Sequence, residues 1–441
     1  MVGFWLLFVS GYAASSGRAA ELEANDFKFD GEIGCPGAKI EKVGANEFRI
    51  IVPSSPGSKD LTPDPNGPPF VNEGKELWPS RMQFIITGHA KGNKLKLTKY
   101  YQGKVFDKEP GITASAVWSY DKKNWTRIAW REGVMEFPAF EQDRVYLYAS
   151  PLPMTNEDIA ELVREWQKSP YVKVHVVGQS LQKKLDMCRI EVTDPNSPTP
   201  GQGKWVHYLA NQHGHENHAR WVLAGMVDWL IGPDGMEARR NSVFHIVVAM
   251  NPDGIANGYI RPNTQGIDTN RSYFPRGSDK AKQAHEAYLF QKDLEGIMAS
   301  NAPAISIWSM HNGGGTVINP GRECGTVLEP AEKLAEAIRR NDPNNFLMTN
   351  WPIAQRRGGG NTTWNGGPAF QFPGVTDTLY EGSPAGTKAE KMRGGAALAK
   401  AIVEYWRGTK PAVLPPPPSA RPASRPASQP ALRGAASKPN R

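Results

Sequence analysis

Residues 211–221 read NQHGHENHARW, and this short run holds three of the nine histidines in a 441-residue chain. His213 and Glu216 stand three apart, as do His215 and His218. On a turn leading into a helix, an imidazole nitrogen and a carboxylate oxygen at that spacing can reach one divalent ion such as zinc. A catalytic zinc site takes three protein ligands at about 2 Å and keeps a fourth position open to water. The third ligand must then come from elsewhere in the chain. His311, 311 − 216 = 95 residues further on, ends the apolar run AISIWSM, where an imidazole needs a partner. Two plainer readings compete. His and Glu three apart are common on helix surfaces, and a histidine ending an apolar run can be a buried group bonded to backbone.

Such a cluster needs strand ends and a helix start to hold it. From about residue 170 the chain alternates between the two patterns. YVKVHVVG, CRIEVTD, KWVHYLAN, VFHIVVAMN and AISIWSMH read as strands. HARWVLAGMVDWLIG, DKAKQAHEAYLFQKDLEGIMAS, EPAEKLAEAIRRN and TKAEKMRGGAALAKAIVEYWRG read as helices. Alternation of this kind predicts an α/β domain on a mixed sheet. Ligands of such sheets sit beyond the carboxyl ends of the strands. His213, Asn251 and His311 each follow an apolar strand and obey that rule. Ahead of this region, residues 25–150 carry short alternating β segments such as NEFRIIV, KLKLTKYY and RVYLYAS, separated by turn residues. They predict an all-β sandwich domain. Thr155 is placed to cap the helix that follows, with Ile159, Leu162, Val163 and Trp166 on one face. The predicted organisation is therefore a signal segment (1–20), a β-sandwich (25–150), an α/β domain (151–410) and a tail (411–441).

Composition narrows the function. A hydrophobic fraction of 39% and a charged fraction of 22% are those of a globular protein. The net charge is +8, and the Pro/Ala/Ser-rich stretch 411–441 contributes five basic and no acidic residues. What remains is only mildly basic, which argues against a nucleic-acid partner. That stretch lacks the apolar side chains for a core and reads as disordered. Three widely spaced cysteines make neither a disulfide framework nor a CxxC zinc site. Near the start, FWLLFVSGYAASSGRAA is too short to span a bilayer, and stable membrane insertion is not expected. Small residues after an apolar stretch point to export, periplasmic or extracellular, with the cytoplasm as the alternative if this is no signal.

One further stretch changes the balance. MNPDGIANGYIRPNTQGIDTNRSY, residues 250–273, resembles the Asn-Pro-Asp-Gly to Asp-x-Asn-Arg region of the carboxypeptidase A-like zinc metallocarboxypeptidases. Its spacing is most similar to the cytosolic-carboxypeptidase branch. The resemblance covers about residues 170–406, and the β segments ahead resemble that branch's N-terminal sandwich. It implies that His213, Glu216 and His311 bind one zinc ion, and that Asp268 orients the first histidine. It implies that Asn270 and Arg271 grip the terminal carboxylate of a peptide or protein substrate. Arg261 would polarise the scissile carbonyl, and Glu381, in TDTLYEGSP, would act as general base. His215 and His218 then belong to the helix start and its surface.

The sequence also departs from the family. NRSY stands where the family has Asn-Arg-Asn/Gln-Trp, and HGHE where the cytosolic branch has His-Pro-Gly-Glu. Trp364 and Tyr380 are poor positional substitutes for the mobile tyrosine of the pancreatic enzymes. The segment before Glu381 should line the side-chain pocket, and Arg356 and Arg357 are its only basic residues. They point to acidic C-terminal residues, while WNGGPAF would suit an apolar pocket. Two other functions stay open: a zinc amidase or deacylase of small acyl amino acids, and a non-catalytic binding protein on a peptidase fold.

Overall fold

The computed structural model describes residues 20–55, 79–101, 103–105, 115–197, 204–274, 283–299, 304–312, 317–320, 331–347, 363–364, 366–371, 375–383 and 385–407. The signal reading (residues 1–19 of it), the tail reading, Cys324, Arg356 and Arg357 fall outside them. The chain forms two compact units.

The first unit holds strands β1 (Phe27–Lys28), β2 (Lys39–Gly44), β3 (Glu47–Ile51), β4 (Phe84–Ile86) and β5 (Lys96–Tyr101). It continues with β6 (Lys104–Val105), β7 (Ser115–Ser119), β8 (Thr126–Ala129), β9 (Val134–Glu136) and β10 (Val145–Tyr148). One sheet runs β1-β4-β10-β7-β8; the other runs β2-β3-β5-β6, with β9 also on β5. The period-two pattern explains the packing. In β3, Phe48 and Ile50 are buried while Glu47 and Arg49 point outward. Phe27, Phe84, Trp118 and Leu147 of one sheet share a core with Phe48, Ile50, Leu97 and Met135 of the other. Gly254–Ile260 also counts with this unit. Gln83 Nε2 donates to the Ile255 and Ala256 carbonyls at 3.0 and 3.1 Å. Arg81 N donates to Gly258 O at 2.8 Å. Gly258 has φ +70, and an added Cβ would meet Arg81 O at 3.0 Å, so glycine is required there.

The second unit is a mixed α/β layer. Its strands are β11 (Val172–Gln179), β12 (Asp186–Val192), β13 (Trp205–Ala210), β14 (Ser242–Val247), β15 (Ala304–Asn312), β16 (Val317–Pro320) and β17 (Thr376–Gly382). The sheet order is β11-β12-β14-β13-β15-β17-β16. The central four strands pair in parallel, and β11, β12 and β16 join antiparallel. The helices are α1 (Asn156–Trp166), α2 (Asn217–Ile231), α3 (Met236–Asn241), α4 (Pro252–Asn257, whose residues from Gly254 on count with the first unit), α5 (His285–Ala299), α6 (Ala331–Asn341), α7 (Gly366–Gln371) and α8 (Lys388–Trp406). Helix α4 occupies the Asn-Pro-Asp-Gly stretch, whose proline sits at the first helical position, where its missing N–H costs nothing. α2 and α8 pack closely because both carry glycine at the crossing. A Cβ on Gly395 would run into Val222 O, and one on Gly225 into Met392 O. Among the described residues, no helix is long and apolar enough to cross a membrane.

The buried faces of β13 and β14 carry two histidines kept neutral. His207 meets Ser306 Oγ at 2.7 Å and packs on Phe244; burial pushes its pKa down to about 3. Burial and the Arg189 guanidinium hold His245 well below its ordinary value. Unfolding lets both take up a proton below about pH 6.5, so the unfolded state binds more protons there and stability falls as pH drops. Each contributes a slope of about 1.4 kcal/mol per pH unit across the window between its unfolded and folded pKa. For His207 that window runs from 6.5 down to about 3. Denaturant midpoints at pH about 7 and about 5 should show it, and His207→Gln should remove one share. An unchanged slope in that variant would exclude His207 as its source.

Candidate metal centre

His213 lies in the short loop between β13 and α2, and Glu216 is the residue immediately before α2. His311 is near the end of β15, directly opposite Glu381 of β17 in the parallel register. His213, Glu216 and His311 are all buried. His213 Nδ1 stands 3.0 Å from Glu216 Oε1. His311 Nδ1 stands 3.0 and 2.9 Å from Glu216 Oε1 and Oε2. The two imidazole rings are 4.8 Å apart.

The donor chemistry tests whether a metal fits. His213 Nε2 faces Asp268 Oδ1 at 3.0 Å. An ionised carboxylate only accepts, so the ring's proton sits on Nε2 and Nδ1 presents a lone pair. That lone pair points at Glu216, another acceptor, and two acceptors at this distance need either a second ring proton or a metal ion between them. His311 Nε2 lies 2.7 Å from Ser309 Oγ, which leaves its Nδ1 facing the same point. Two imidazole nitrogens and a carboxylate thus converge as a zinc donor set requires. Burial would raise the Glu216 carboxyl, but His311 and His213 outweigh it and hold it well below the usual range.

His215 is buried too, with its ring 5.9 Å from that of His213. His213, His215 and Glu216 bring ligand atoms within 4.8 Å of one another. His215 Nε2, however, is 4.0 Å from Glu216, against 2.9 Å for His311, so His311 is the better third donor. His218 is not on the helix surface as expected: it is buried, with Nδ1 2.8 Å from Asn312 Nδ2.

Arg261 and Asp268 stand on the two legs of a small hairpin. It is closed by the Pro262–Asp268 bridge and by Asn263 N donating to Ile267 O at 3.0 Å. Arg261 donates to Asp268 Oδ2 through Nε at 2.9 Å and Nη2 at 2.8 Å. Burial works against both charges, yet each raises the other's ionised fraction: Arg261 is held above its ordinary pKa and Asp268 well below. The hairpin is tied to α5 by Asn263 Nδ2, which donates to the buried Glu286 carboxylate at 2.6 Å. Asn270 Nδ2 lies 3.0 Å from His311 Nε2, and Asn270 Oδ1 accepts from Trp364 N at 2.9 Å. Arg271 Nη1 donates to Asn270 O at 2.8 Å, and burial lowers its pKa. Burial, with Glu216 adding to it, raises the Glu381 carboxyl, although His311 opposes the rise. Trp364 and Tyr380 are both buried.

Sequence reading missed Asn211, Ser309, Asn263 and Glu286, which hold the candidates in place. Asn211 Nδ2 donates both to Glu216 Oε2 at 3.0 Å and to Met310 O at 2.7 Å. A polar residue ending an apolar strand is the available signal, and the sequence reading applies it only to His213, Asn251 and His311.

Residues 159–307 match the family model described as zinc carboxypeptidase. Over those residues the chain is similar to the zinc carboxypeptidase family. The matched span includes His213, Glu216, Arg261, Asp268, Asn270 and Arg271. Cytosolic carboxypeptidase 2 of Xenopus tropicalis is 26% identical over 294 residues, which are 63% of this chain and 28% of that protein. Cytosolic carboxypeptidase 3 of Mus musculus is 26% identical over 159 residues, 35% of this chain and 15% of that protein. The chain thus spans less than a third of either relative. The solved structure of a metallo-carboxypeptidase from Pseudomonas aeruginosa superposes with a TM-score of 0.62 at 18% identity. It covers 88% of this chain and 99% of that one. The chain therefore shares its fold with a bacterial metallocarboxypeptidase. These relatives correct one expectation. Export was read from the first twenty residues, but the curated relatives are cytosolic carboxypeptidases, and the export reading is overturned.

Proposed function

We propose that this chain is a zinc-dependent carboxypeptidase that hydrolyses the last peptide bond of a peptide or protein, acting in the cytoplasm as its named relatives do. The reading rests on one observation above all: a buried His213–Glu216–His311 donor set beside Arg261 and Arg271, with a carboxylate of raised pKa, Glu381, adjoining it. Zinc, when bound there, supplies Lewis acidity and acidifies a water molecule. Glu381 takes the proton from the attacking water and delivers one to the leaving amine. Asp268 fixes the tautomer of His213 through Nε2. Arg261 keeps Nη1 for the oxyanion that develops at the scissile carbonyl. Arg271 and Asn270 take the substrate's terminal carboxylate, for which the guanidinium fork is suited.

Peptides with a free C-terminus should be cleaved one residue at a time, and their C-terminally amidated forms should resist. Equal cleavage of both would remove the exopeptidase assignment, and faster turnover of acyl amino acids would favour an amidase. The finer proposal is a preference for acidic C-terminal residues, supported by Arg356 and Arg357 ahead of Glu381 in the sequence. kcat/KM should be higher for peptides ending in Glu than in Phe or Lys, and Arg356→Ala or Arg357→Ala should reduce that advantage. Faster cleavage of Phe, indifferent to both substitutions, would end it.

A further inference from the structure

We propose that Arg220 is a positioning residue for the metal centre, holding the backbone of the ligand loop so that His213 and Glu216 present their donors to one ion. The inference rests on the zinc reading above. Arg220 is the fourth residue of α2 and is fully buried. Its Nη1 donates to His213 O at 3.2 Å and to Asn211 Oδ1 at 3.2 Å. Its Nη2 donates to Gly214 O at 3.0 Å and to Asn217 Oδ1. Four oxygens of the segment 211–217 are thereby gathered on one planar group.

The reach extends further through Asn211. Its amide is oriented by Arg220 at the oxygen end and donates from the nitrogen end to Glu216 Oε2 and Met310 O. Met310 precedes His311 on β15. One guanidinium therefore touches, directly or through one amide, both segments that carry the three candidate ligands. The loop needs such a device. Glu216 occupies the residue before α2 but makes no side-chain cap bond, because its carboxylate is turned to the imidazoles. The usual N-cap bond is absent; Ala219 N donates instead to Asn312 Oδ1 at 2.8 Å. Within the loop Glu216 N donates to His213 O at 3.3 Å and Asn217 N to His215 O at 3.0 Å, so the N-cap side chain itself contributes nothing to holding the loop. Arginine suits the task because its donors lie in a rigid fork, whereas lysine offers a point charge on a flexible stem.

The test compares wild type, Arg220→Lys, Arg220→Met and Asn211→Ala, each stripped of metal and titrated with zinc against a competing chelator. Circular dichroism and thermal melts of the metal-free proteins run in parallel. Wild type should bind zinc. Arg220→Met should lose on the order of tenfold to a hundredfold in zinc affinity, as removal of a group supporting a ligand does. Arg220→Lys should lose less, since it restores the charge without the fork, and Asn211→Ala should weaken binding while leaving the Arg220 bonds to His213 O and Gly214 O in place. If Arg220→Met fails to fold, a weakened affinity in folded Arg220→Lys and Asn211→Ala supports the proposal. Folded Arg220→Lys and Asn211→Ala with wild-type zinc affinity would overturn it, leaving Arg220 a stability element only. A wild type that binds no zinc would instead sink the proposed function itself.

Discussion

Glu381→Gln should keep its zinc and lose at least about a hundredfold in kcat, the scale of a general acid–base residue. The substitution changes almost no volume on β17, where residue 381 pairs with His311 across the parallel ladder. The three candidate ligands are therefore undisturbed, and metal content should match wild type. What changes is proton chemistry. Burial and the nearby Glu216 raise the pKa of the Glu381 carboxyl, which brings it closer to the working range of a base. An amide in its place cannot accept a proton from water at any accessible pH. Single-turnover measurements on metal-loaded enzyme would separate this from a binding defect: KM should move little while kcat collapses. Near-wild-type kcat in a zinc-replete variant would remove Glu381 from the mechanism and return it to a strand-end carboxylate.

His311→Ala should lose zinc altogether under mild chelation, while His215→Ala should retain it. The ligand atom of His311 stands 2.9 Å from Glu216, and that of His215 stands 4.0 Å away. Structural zinc sites with four ligands are worth about 10–16 kcal/mol, so removal of one ligand costs on the order of 3 kcal/mol, more than a hundredfold in affinity. The carboxylate of Glu216 would also lose one of the two imidazoles that hold its pKa down against burial. Elemental analysis of the dialysed variants decides the matter. Zinc retained by His311→Ala and lost by His215→Ala would exchange the roles of the two histidines.

Local pattern carried much of this. An apolar run ending in a polar residue located the ends of β13 and β15, and with them His213 and His311. The 3.6-residue period located α2, α6 and α8, and period-two alternation located the sandwich strands. Those signals depend on residues near one another in the chain, so they are legible without a structure. The short strands β1, β2, β6, β9 and β16 were not, being too brief or too polar to show a period. The assignment of Gly254–Ile260 to the β-rich unit was equally hidden, because that stretch is held by hydrogen bonds to Gly34, Arg81 and Gln83, far off in sequence.

Convergence, by contrast, belonged to the tertiary structure alone. His311 and Glu381 become neighbours only because β15 and β17 pair in parallel in that register, and strand order is not written in spacing. That His311 stands 2.9 Å from Glu216, nearer than His215 at 4.0 Å, was likewise decided by strand packing, since 95 positions separate His311 from Glu216 in sequence. Nothing in the local pattern of HARWVLAGMVDWLIG sets Arg220 apart. Its burial against the carbonyls of the ligand loop follows from packing on both sides of α2. The identity of each chemical group was fixed by the chain, but which lone pairs face one another was decided by how strands far apart in the chain were brought side by side.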